Sequence, residues 1–273
     1  MTKLEKSKYP AVLTIAGSDS SGGAGIIADT KTITDLGGYA TVAITVVTAQ
    51  NTKGVQEVLP LPLPILIAQI KAVFDDLPPL SVKLGMLHSA EIIEGVAKFL
   101  EGYKGFYLVI DPVMVATSGS VLLENTAIKS LKKILPQAHL ITPNLPEAAV
   151  LLDRSKITFD EMANATKTLA EKYQTSVLLK GGHIKNKAVL TDFLYDVKTD
   201  SLQKFEYPYI NTKNTHGTGC TLSAAIATFL AKGYPLKEAV KLSGDYLHKA
   251  IQKSAHTKIG KGNGAVLTGY SKS

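Results

Sequence analysis

The fold of this chain is decided near its start, where residues 11–36 read AVLTIAGSDSSGGAGIIADTKTITDL. A short apolar run, Ala11 to Ala16, leads into a glycine-rich turn, and the segment from Gly25 to Leu36 then repeats its apolar residues every three to four positions. The short run is typical of a buried strand, and the periodic segment is typical of a helix. The order of strand, glycine turn and helix predicts the first half of a βαβ unit.

The same alternation of apolar runs and periodic segments continues along the chain. The further predicted strands are Ala40 to Thr48, Ser81 to Leu84, Phe106 to Ile110, Ala138 to Ile141 and Ser176 to Leu179. The further predicted helices are Leu66 to Phe74, Ala90 to Leu100, Thr126 to Leu135 and Asp160 to Tyr173. Repeated βαβ units predict an α/β fold with a mostly parallel central sheet that is flanked by helices on both faces.

The pattern changes in the last third of the sequence. Val189 to Tyr195 and Gln203 to Ile210 alternate between apolar and polar residues around a polar turn, which predicts an antiparallel hairpin at the sheet edge. The two closing helices are predicted over Cys220 to Leu230 and Pro235 to Ile251. Because no linker or repeat divides the sequence, we expect residues 1–273 to form one domain, with residues 1–9 flexible.

Composition excludes several classes of protein. With 273 residues, of which 45% are hydrophobic and 19% charged, the chain is not disordered. The formal net charge is +7, but Arg154 is the only arginine, and arginine is the residue that reads guanine edges. No apolar run reaches the ~18 residues of a membrane span, and the N-terminal run is too short for a secretory signal. With one cysteine and no disulfide, we expect a cytoplasmic protein without nucleic-acid or membrane partners.

Polar and glycine-rich residues follow the predicted strands, which is where ligands bind in open α/β sheets. These segments are Gly17 to Gly25, Thr48 to Asn51, Gly85 to Met86, Asp111 to Met114, Thr142 to Glu147 and Lys180 to His183. A last glycine turn, Asn214 to Cys220, leads into a predicted helix. Such a turn presents backbone amides and the positive end of the helix dipole to an anion, although a turn that only caps the helix has the same sequence.

The side chains around this turn favour phosphoryl transfer. A thiol at a helix start is expected to be biased towards thiolate, so Cys220 is a candidate base or anion-site residue, unless it is inert core packing. Asp111 and Glu147 offer oxygen ligands to Mg²⁺, and Lys180 offers a positive charge to phosphates. Together, an anion-binding helix start, two carboxylates and a lysine predict a phosphotransferase.

Other ligand classes fit the motifs less well. The first glycine turn has neither the ending of a Walker A loop nor the glycine spacing of a dinucleotide fingerprint, which disfavours NAD. His183 and His216 lack the partners that a zinc site requires. Asp29 is either an exposed residue of the first helix or a residue that the helix aims at the site.

The motifs resemble those of the hydroxymethylpyrimidine/phosphomethylpyrimidine kinases of thiamine biosynthesis, which belong to the ribokinase superfamily. The matching segments occur in the family's order and read LTIAGSD from Leu13, SGGAG from Ser21, TAQNT from Thr48, GML from Gly85, DPVM from Asp111, ITPNLPEA from Ile141, KGGH from Lys180 and NTHGTGCT from Asn214.

The resemblance implies an ATP-dependent kinase that phosphorylates 4-amino-5-hydroxymethyl-2-methylpyrimidine and then phosphorylates the monophosphate to the diphosphate. It implies Mg²⁺ as a cofactor, with a monovalent cation as a further candidate. The pyrimidine contacts that it implies are Gly17, Asp29, Gln50, Met86 and Val113. The nucleotide contacts are Asn144, Lys180 and Thr218, the metal contacts are Asp111 and Glu147, and the catalytic anion hole is formed by Gly217, Gly219 and Cys220. Relatives are commonly dimeric, which implies a homodimer, and the edge hairpin is a candidate surface for it.

Two alternatives remain open at the level of sequence. Pyridoxal and pyridoxine kinases share the same frame, although Gln50 favours the aminopyrimidine because an amide offers both a donor and an acceptor. A non-catalytic sensor of a phosphorylated metabolite is the second alternative. The presence of Asp111, Glu147, Lys180 and Cys220 together argues against a decayed site. Many sugar kinases of the superfamily carry aspartate where this chain has Cys220, which leaves the identity of the base open.

Overall fold

A computed structural model of the chain describes residues 9–114, 124–182 and 188–269. The strands within these residues are β1 Ala11–Ala16, β2 Tyr39–Ile44, β3 Val46–Asn51, β4 Gly54–Pro60, β5 Ser81–Leu84, β6 Tyr107–Ile110, β7 Leu140–Ile141, β8 Ser176–Leu179, β9 Val189–Asp196 and β10 Ser201–Pro208. The α-helices are α1 Gly25–Asp35, α2 Leu63–Asp76, α3 Ala90–Glu101, α4 Asn125–Ile134, α5 Leu145–Leu151, α6 Met162–Tyr173, α7 Thr218–Ala231 and α8 Leu236–Ser254. Residues 1–8 of the start that is predicted to be flexible, 1–9, lie outside the described residues, and so does His183.

Eight strands form one sheet in the order β10-β9-β8-β7-β6-β5-β1-β2. Pairing from β2 to β8 is parallel, whereas β8 with β9 and β9 with β10 are antiparallel. The predicted α/β fold with its antiparallel edge hairpin is therefore confirmed. Because β1 lies between β2 and β5, the chain reverses its direction across the sheet beside β1, and ligands bind at such switch points.

Helices cover both faces of the sheet because alternate residues of each strand point to opposite sides. On β1, Leu13 and Ile15 belong to the core cluster that contains the buried residues of α2 to α6. Val12, on the opposite face, belongs to the cluster that contains residues of α1, α7 and α8. α7 is the most deeply buried of these three helices, since all its residues from Thr221 to Ala231 are buried. Its start is thereby fixed against the sheet.

One predicted strand is wrong. Ala40 to Thr48 is not continuous, because the chain leaves the main sheet after Ile44 and enters a separate two-stranded antiparallel sheet of β3 and β4. The break lies at Thr45, whose N–H donates to the Ala16 carbonyl and whose carbonyl accepts from Leu61 N–H. The apolar, β-branched sequence is the same on both sides of the break. Only the pairing partner changes, and no local sequence signal marks it.

The short helix α5 was not predicted from apolar periodicity, because it has only seven residues. Its signal is a capping box, in which Asn144 and Glu147 each bond the other's backbone N–H. Among the described residues, no helix combines the length and the apolar character that crossing a bilayer requires.

Candidate active site

The start of α7 is built by two glycine turns that pack against each other. Gly217 is the N-cap and has a φ of +82°, which favours glycine. A Cβ on Gly217 would lie 1.9 Å from the carbonyl oxygen of Gly23, so only glycine allows the turns to approach this closely. The first N–H groups of any helix have no acceptor within the helix. Thr218, Gly219 and Cys220 begin α7 and are partly exposed, and the Thr218 N–H donates to the Thr215 carbonyl at 3.3 Å. Anion binding at this helix start stays a prediction.

Asp111 and Lys180 meet beside this helix start. Lys180 Nζ donates to Asp111 Oδ1 at 2.9 Å, and Thr142 Oγ1 donates to the same oxygen at 3.0 Å. A Cβ on Gly219 would lie 3.3 Å from Asp111 Oδ2 and 3.5 Å from Lys180 Nζ. The structure thus brings together a carboxylate, an ammonium group and the first turn of α7, three of the components that the sequence predicts.

Both charges of this pair are stabilised. Burial raises the pKa of Asp111, but the ammonium groups of Lys180 and Lys83 outweigh it and hold that pKa below its ordinary value. Burial likewise lowers the pKa of Lys180, and the carboxylates of Asp111 and Glu147 outweigh it and raise the pKa. Asp111 is therefore an anion and Lys180 a cation at neutral pH, as phosphate and metal binding require.

Glu147 lies on α5, at the third position of the helix. Its Oε2 accepts from Asn144 N–H at 2.8 Å, and Asn144 Oδ1 accepts from Glu147 N–H at 2.9 Å. Burial raises the pKa of Glu147 to about 7, although Lys180 acts in the opposite direction. The capping box fixes Glu147 close to Lys180 and thus to Asp111. The side-chain oxygen Oδ1 of Asn144 caps the helix, and the predicted contact of Asn144 with the nucleotide stays a prediction.

The two carboxylates fit Mg²⁺. Within residues 9–114, 124–182 and 188–269, no cluster of three or more His, Cys, Asp or Glu side chains has a geometry that holds a metal ion. Mg²⁺ commonly takes only one or two carboxylates and fills its other positions with water and substrate phosphates. Asp111 and Glu147 provide that number of ligands beside the predicted phosphate site.

The expected thiolate character of Cys220 is wrong. Burial raises the pKa of this thiol to about 11; the ammonium group of Lys83 lowers it, the carboxylates of Asp29 and Asp111 raise it further, and the bonded N–H of Gly25 lowers it. A helix start does favour a thiolate, but here the loss of hydration has the larger effect. Cys220 is a neutral thiol at neutral pH, and it is partly exposed beside the α7 turn.

The predicted substrate contacts lie at the switch point of the sheet. Gly17 follows β1, and a Cβ there would lie 2.6 Å from Met86 Cε and 2.7 Å from Val46 Cγ2. The missing side chain of Gly17 therefore leaves the space that the Met86 side chain occupies. Gln50 lies on β3, where its side chain approaches Thr48. Val113 is partly buried two residues beyond Asp111. Gly17 and Met86 are in contact, whereas the contacts of Val113 and Gln50 with a ligand stay predictions.

The sequence and the fold of this chain have counterparts in known proteins. The model of a family described as phosphomethylpyrimidine kinase matches residues 19–267. The chain belongs to the phosphomethylpyrimidine kinase family. This chain is 48% identical to a hydroxymethylpyrimidine/phosphomethylpyrimidine kinase of Rhizobium meliloti over 257 residues. The match covers 93% of this chain and 95% of the relative.

Solved structures agree with the family assignment. The crystal structure of a phosphomethylpyrimidine kinase from Clostridium difficile is 42% identical, has a TM-score of 0.78 and is matched over 88% of this chain and 99% of that chain. A pyridoxal kinase from Staphylococcus aureus in complex with AMP-PCP and pyridoxal is 32% identical, with a TM-score of 0.86 and coverage of 96% and 94%. The family thus shares its ribokinase-like fold with pyridoxal kinases.

A buried ion pair beneath the site was missed by the sequence analysis. Lys83 Nζ donates to Asp29 Oδ2 at 2.8 Å, Thr14 Oγ1 donates to the same oxygen at 2.5 Å, and both charged side chains are 0% exposed. Burial lowers the pKa of Lys83, but Asp29, Cys220 and Asp111 outweigh it and raise that pKa. A lysine inside a buried strand requires a charged partner, which is the signal that the sequence contains.

The same pair settles the position of Asp29. The alternative of an exposed helix residue is wrong, since Asp29 is fully buried on α1. Its Oδ1 is buried and has no hydrogen-bond partner among the described residues. A contact with substrate stays a prediction.

Asp19 and His216 join the two glycine turns. His216 Nε2 lies 2.7 Å from Asp19 Oδ2. Burial raises the pKa of Asp19, but the hydrogen bonds from His216 and Ser21 outweigh it and lower the pKa to about 2. Asp192, on β9, is a further carboxylate near Lys180 and accepts from Gly181 N–H at 2.8 Å. Asp19 lies inside the first glycine-rich motif, but its partner His216 is 197 positions away, and no local pattern marks this contact.

Proposed function

We propose that this chain is an ATP-dependent kinase that phosphorylates 4-amino-5-hydroxymethyl-2-methylpyrimidine and then its monophosphate, in the biosynthesis of thiamine diphosphate. One observation carries the proposal. Asp111 and Lys180 lie together beside Gly219 at the start of α7, in a chain that is 48% identical to a hydroxymethylpyrimidine/phosphomethylpyrimidine kinase.

The reaction forms one P–O bond and breaks one P–O bond and one O–H bond. The hydroxymethyl oxygen forms a bond to the γ-phosphorus of ATP, the bond from that phosphorus to the bridging oxygen breaks, ADP leaves, and the hydroxyl proton is released to water. The transition state is loose, so catalysis depends on alignment and on neutralising the equatorial oxygens. The N–H groups of Gly219 and Cys220 and the ammonium group of Lys180 supply donors and positive charge for those oxygens.

Mg²⁺ neutralises phosphate charge when it is bound. Asp111 and Glu147 would hold it, with water and phosphate oxygens as the other ligands. Lys180 keeps Asp111 ionised, and the capping box keeps Glu147 in place. A monovalent cation remains a further candidate cofactor.

Cys220 contributes to this site chiefly through its backbone. A neutral thiol with a pKa of about 11 is a poor proton acceptor at neutral pH. A loose transition state needs little deprotonation of the attacking hydroxyl before bond formation. The proton of the alcohol therefore leaves late, and the N–H of Cys220 and its contact with Gly25 position the turn.

The pyrimidine ring lies at the switch point. Gly17 and Met86 provide an apolar contact, Val113 borders it, and Gln50 offers a donor and an acceptor to the ring edge. The unpartnered Oδ1 of Asp29 is a candidate acceptor for a ligand N–H.

A pyridoxal kinase is the second candidate function, and the TM-score of 0.86 to the Staphylococcus aureus pyridoxal kinase is the observation that favours it. ADP formation should be measured with each alcohol at saturating ATP and Mg²⁺. We expect kcat/KM for the aminopyrimidine alcohol to exceed that for pyridoxal by about tenfold or more, a difference that a lost polar contact produces. A tenfold preference for pyridoxal would contradict the proposal. Absence of ADP with every alcohol would instead support a non-catalytic sensor.

We further propose that residues 1–273 form one domain, that the chain is a homodimer and that it works in the cytoplasm. The absence of a dividing linker in the sequence, the dimers common among relatives and the single cysteine support these three proposals in turn.

A further inference from the structure

Three segments of the site meet at His216. Its Nε2 lies 2.7 Å from Asp19 Oδ2 in the first glycine turn and 3.4 Å from the amide nitrogen Nε2 of Gln50 on β3. Its backbone is fixed by bonds to Gly264 and Val266, and its side chain is only 13% exposed. His216 has no part in the phosphoryl transfer described above, yet it contacts a residue of the predicted pyrimidine pocket.

Asp19 decides where the proton of His216 lies. Asp19 Oδ1 accepts from Ser21 N–H and Oγ–H, and Oδ2 accepts from the N–H groups of Gly23 and Ala24. An ionised carboxylate with these partners has no proton to donate. The contact of 2.7 Å therefore requires that His216 Nε2 carries the hydrogen and donates it to Asp19.

This proton fixes the orientation of the Gln50 carboxamide. The 3.4 Å contact joins His216 Nε2 to the amide nitrogen of Gln50. A protonated Nε2 has no lone pair to accept from that NH₂ group, so the carboxamide turned by about 180°, with its oxygen towards His216, is favoured. Thr48 Oγ1 lies 3.3 Å from Gln50 Oε1 and 2.8 Å from the carbonyl oxygen of Ser18, and its one proton can serve only one of these two acceptors. The shorter bond to Ser18 takes the proton, so Thr48 Oγ1 accepts from the amide nitrogen in the turned carboxamide. Both neighbours favour the same orientation, with the oxygen of Gln50 towards His216 and the nitrogen towards Thr48.

We propose that His216, held by Asp19, is a positioning residue that fixes the carboxamide of Gln50 and thereby sets the preference of the pocket for an aminopyrimidine. The edge of an aminopyrimidine places a donor amine beside an acceptor ring nitrogen. A carboxamide matches that edge in one orientation only, and the reversed orientation opposes donor to donor and acceptor to acceptor. This inference rests on the proposed function.

Variants at position 216 separate the role of Nε2 from the role of bulk. The amide nitrogen of glutamine reaches the position of Nε2, whereas that of asparagine reaches only the position of Nδ1. We expect H216N to raise KM for the aminopyrimidine alcohol about ten- to hundredfold, the size of a lost polar selection. KM for ATP and kcat/KM for pyridoxal should each stay within about twofold. H216Q should restore KM to within about threefold, and H256N, on an exposed histidine, is the matched control.

A double-mutant cycle with Q50A tests whether His216 acts through Gln50. In the Q50A background we expect H216N to change KM less than about twofold. The inference would be overturned if H216N raised KM by the same factor in the Q50A background as in the wild type. It would also be overturned if H216N lowered kcat/KM equally for both alcohols, or if it raised KM for ATP. If H216N does not fold, D19N serves instead: it frees the proton of His216 and should reduce the preference, and an unchanged preference would overturn the inference. A wild-type chain without ADP formation would refute the proposed function itself.

Discussion

Cys220 lies at the start of α7, where effects of opposite sign act on its thiol. Burial raises its pKa to about 11, whereas Lys83 and the helix start favour the thiolate. We therefore expect the rate of alkylation by iodoacetamide to rise about tenfold per pH unit from pH 7 to pH 10, because only the thiolate reacts. Mass spectrometry of the time course measures this rate. A plateau below about pH 9, near the free-thiol pKa, would contradict the dominance of burial.

The buried pair of Lys83 and Asp29 makes a prediction about stability. Lys83→Met leaves a carboxylate unpaired among residues that exclude water, and we expect the free energy of unfolding in urea to fall by about 3–5 kcal/mol. The double variant with Asp29→Asn removes both charges and should recover most of that loss.

The surface pair of Lys71 and Asp75 is the matched control for this prediction, since its side chains are 60% and 52% exposed. Lys71→Met should change the free energy of unfolding by less than about 1 kcal/mol. A double variant at positions 83 and 29 that is no more stable than Lys83→Met would show that packing, and not the unpaired charge, explains the loss.

At the scale of elements, the two ends of α7 provide a matched pair of glycines. Gly217 and Gly233 both have positive φ, +82° and +87°, but only Gly217 is packed against backbone, while nothing lies within 4 Å of a Cβ on Gly233. Alanine at Gly233 should cost about 1 kcal/mol of stability, and alanine at Gly217 should cost more, because its Cβ would overlap the carbonyl oxygen of Gly23. Gly217→Ala should also lower kcat by about a hundredfold, because it separates the turns that align the phosphates.

Steady-state kinetics at saturating ATP together with urea unfolding tests this contrast. Equal kcat values for the two alanine variants would show that the packing of Gly217 against Gly23 has no catalytic role.

Local patterns account for most elements, because a helix or a buried strand imposes its own period on the sequence. The extents of α1, α7 and α8 agree with prediction to within a few residues. β3 and β4 were not resolved as a separate sheet, since strand pairing is a long-range choice that neighbouring residues do not encode. The charged cluster behaves similarly: Asp111 and Lys180 were predicted from their places after strands, but Lys83 was missed because its partner, Asp29, lies 54 positions away.

At the scale of the whole molecule, the proposed homodimer has two candidate surfaces. One is the edge hairpin, where Leu202 on β10 is 43% exposed, and the other is the small sheet, where Leu59 on β4 is 65% exposed. A stable dimer buries exposed apolar side chains at its interface. An aspartate introduced there would be buried without a partner, which weakens the association of the two subunits. Sedimentation equilibrium should show a dimer that either Leu202→Asp or Leu59→Asp dissociates. A wild-type chain that sediments as a monomer would contradict the proposal.

The central claim concerns how the start of α7, Asp111 and Lys180 act together on a triphosphate beside a small heteroaromatic alcohol. The most direct measurement is a crystal structure with a non-hydrolysable ATP analogue, Mg²⁺ and the aminopyrimidine alcohol. We predict γ-phosphate oxygens within about 3 Å of the Gly219 and Cys220 N–H groups. The hydroxymethyl oxygen should lie about 3–3.5 Å from the γ-phosphorus. Phosphates bound away from this helix start, or an alcohol that points away from them, would contradict the account.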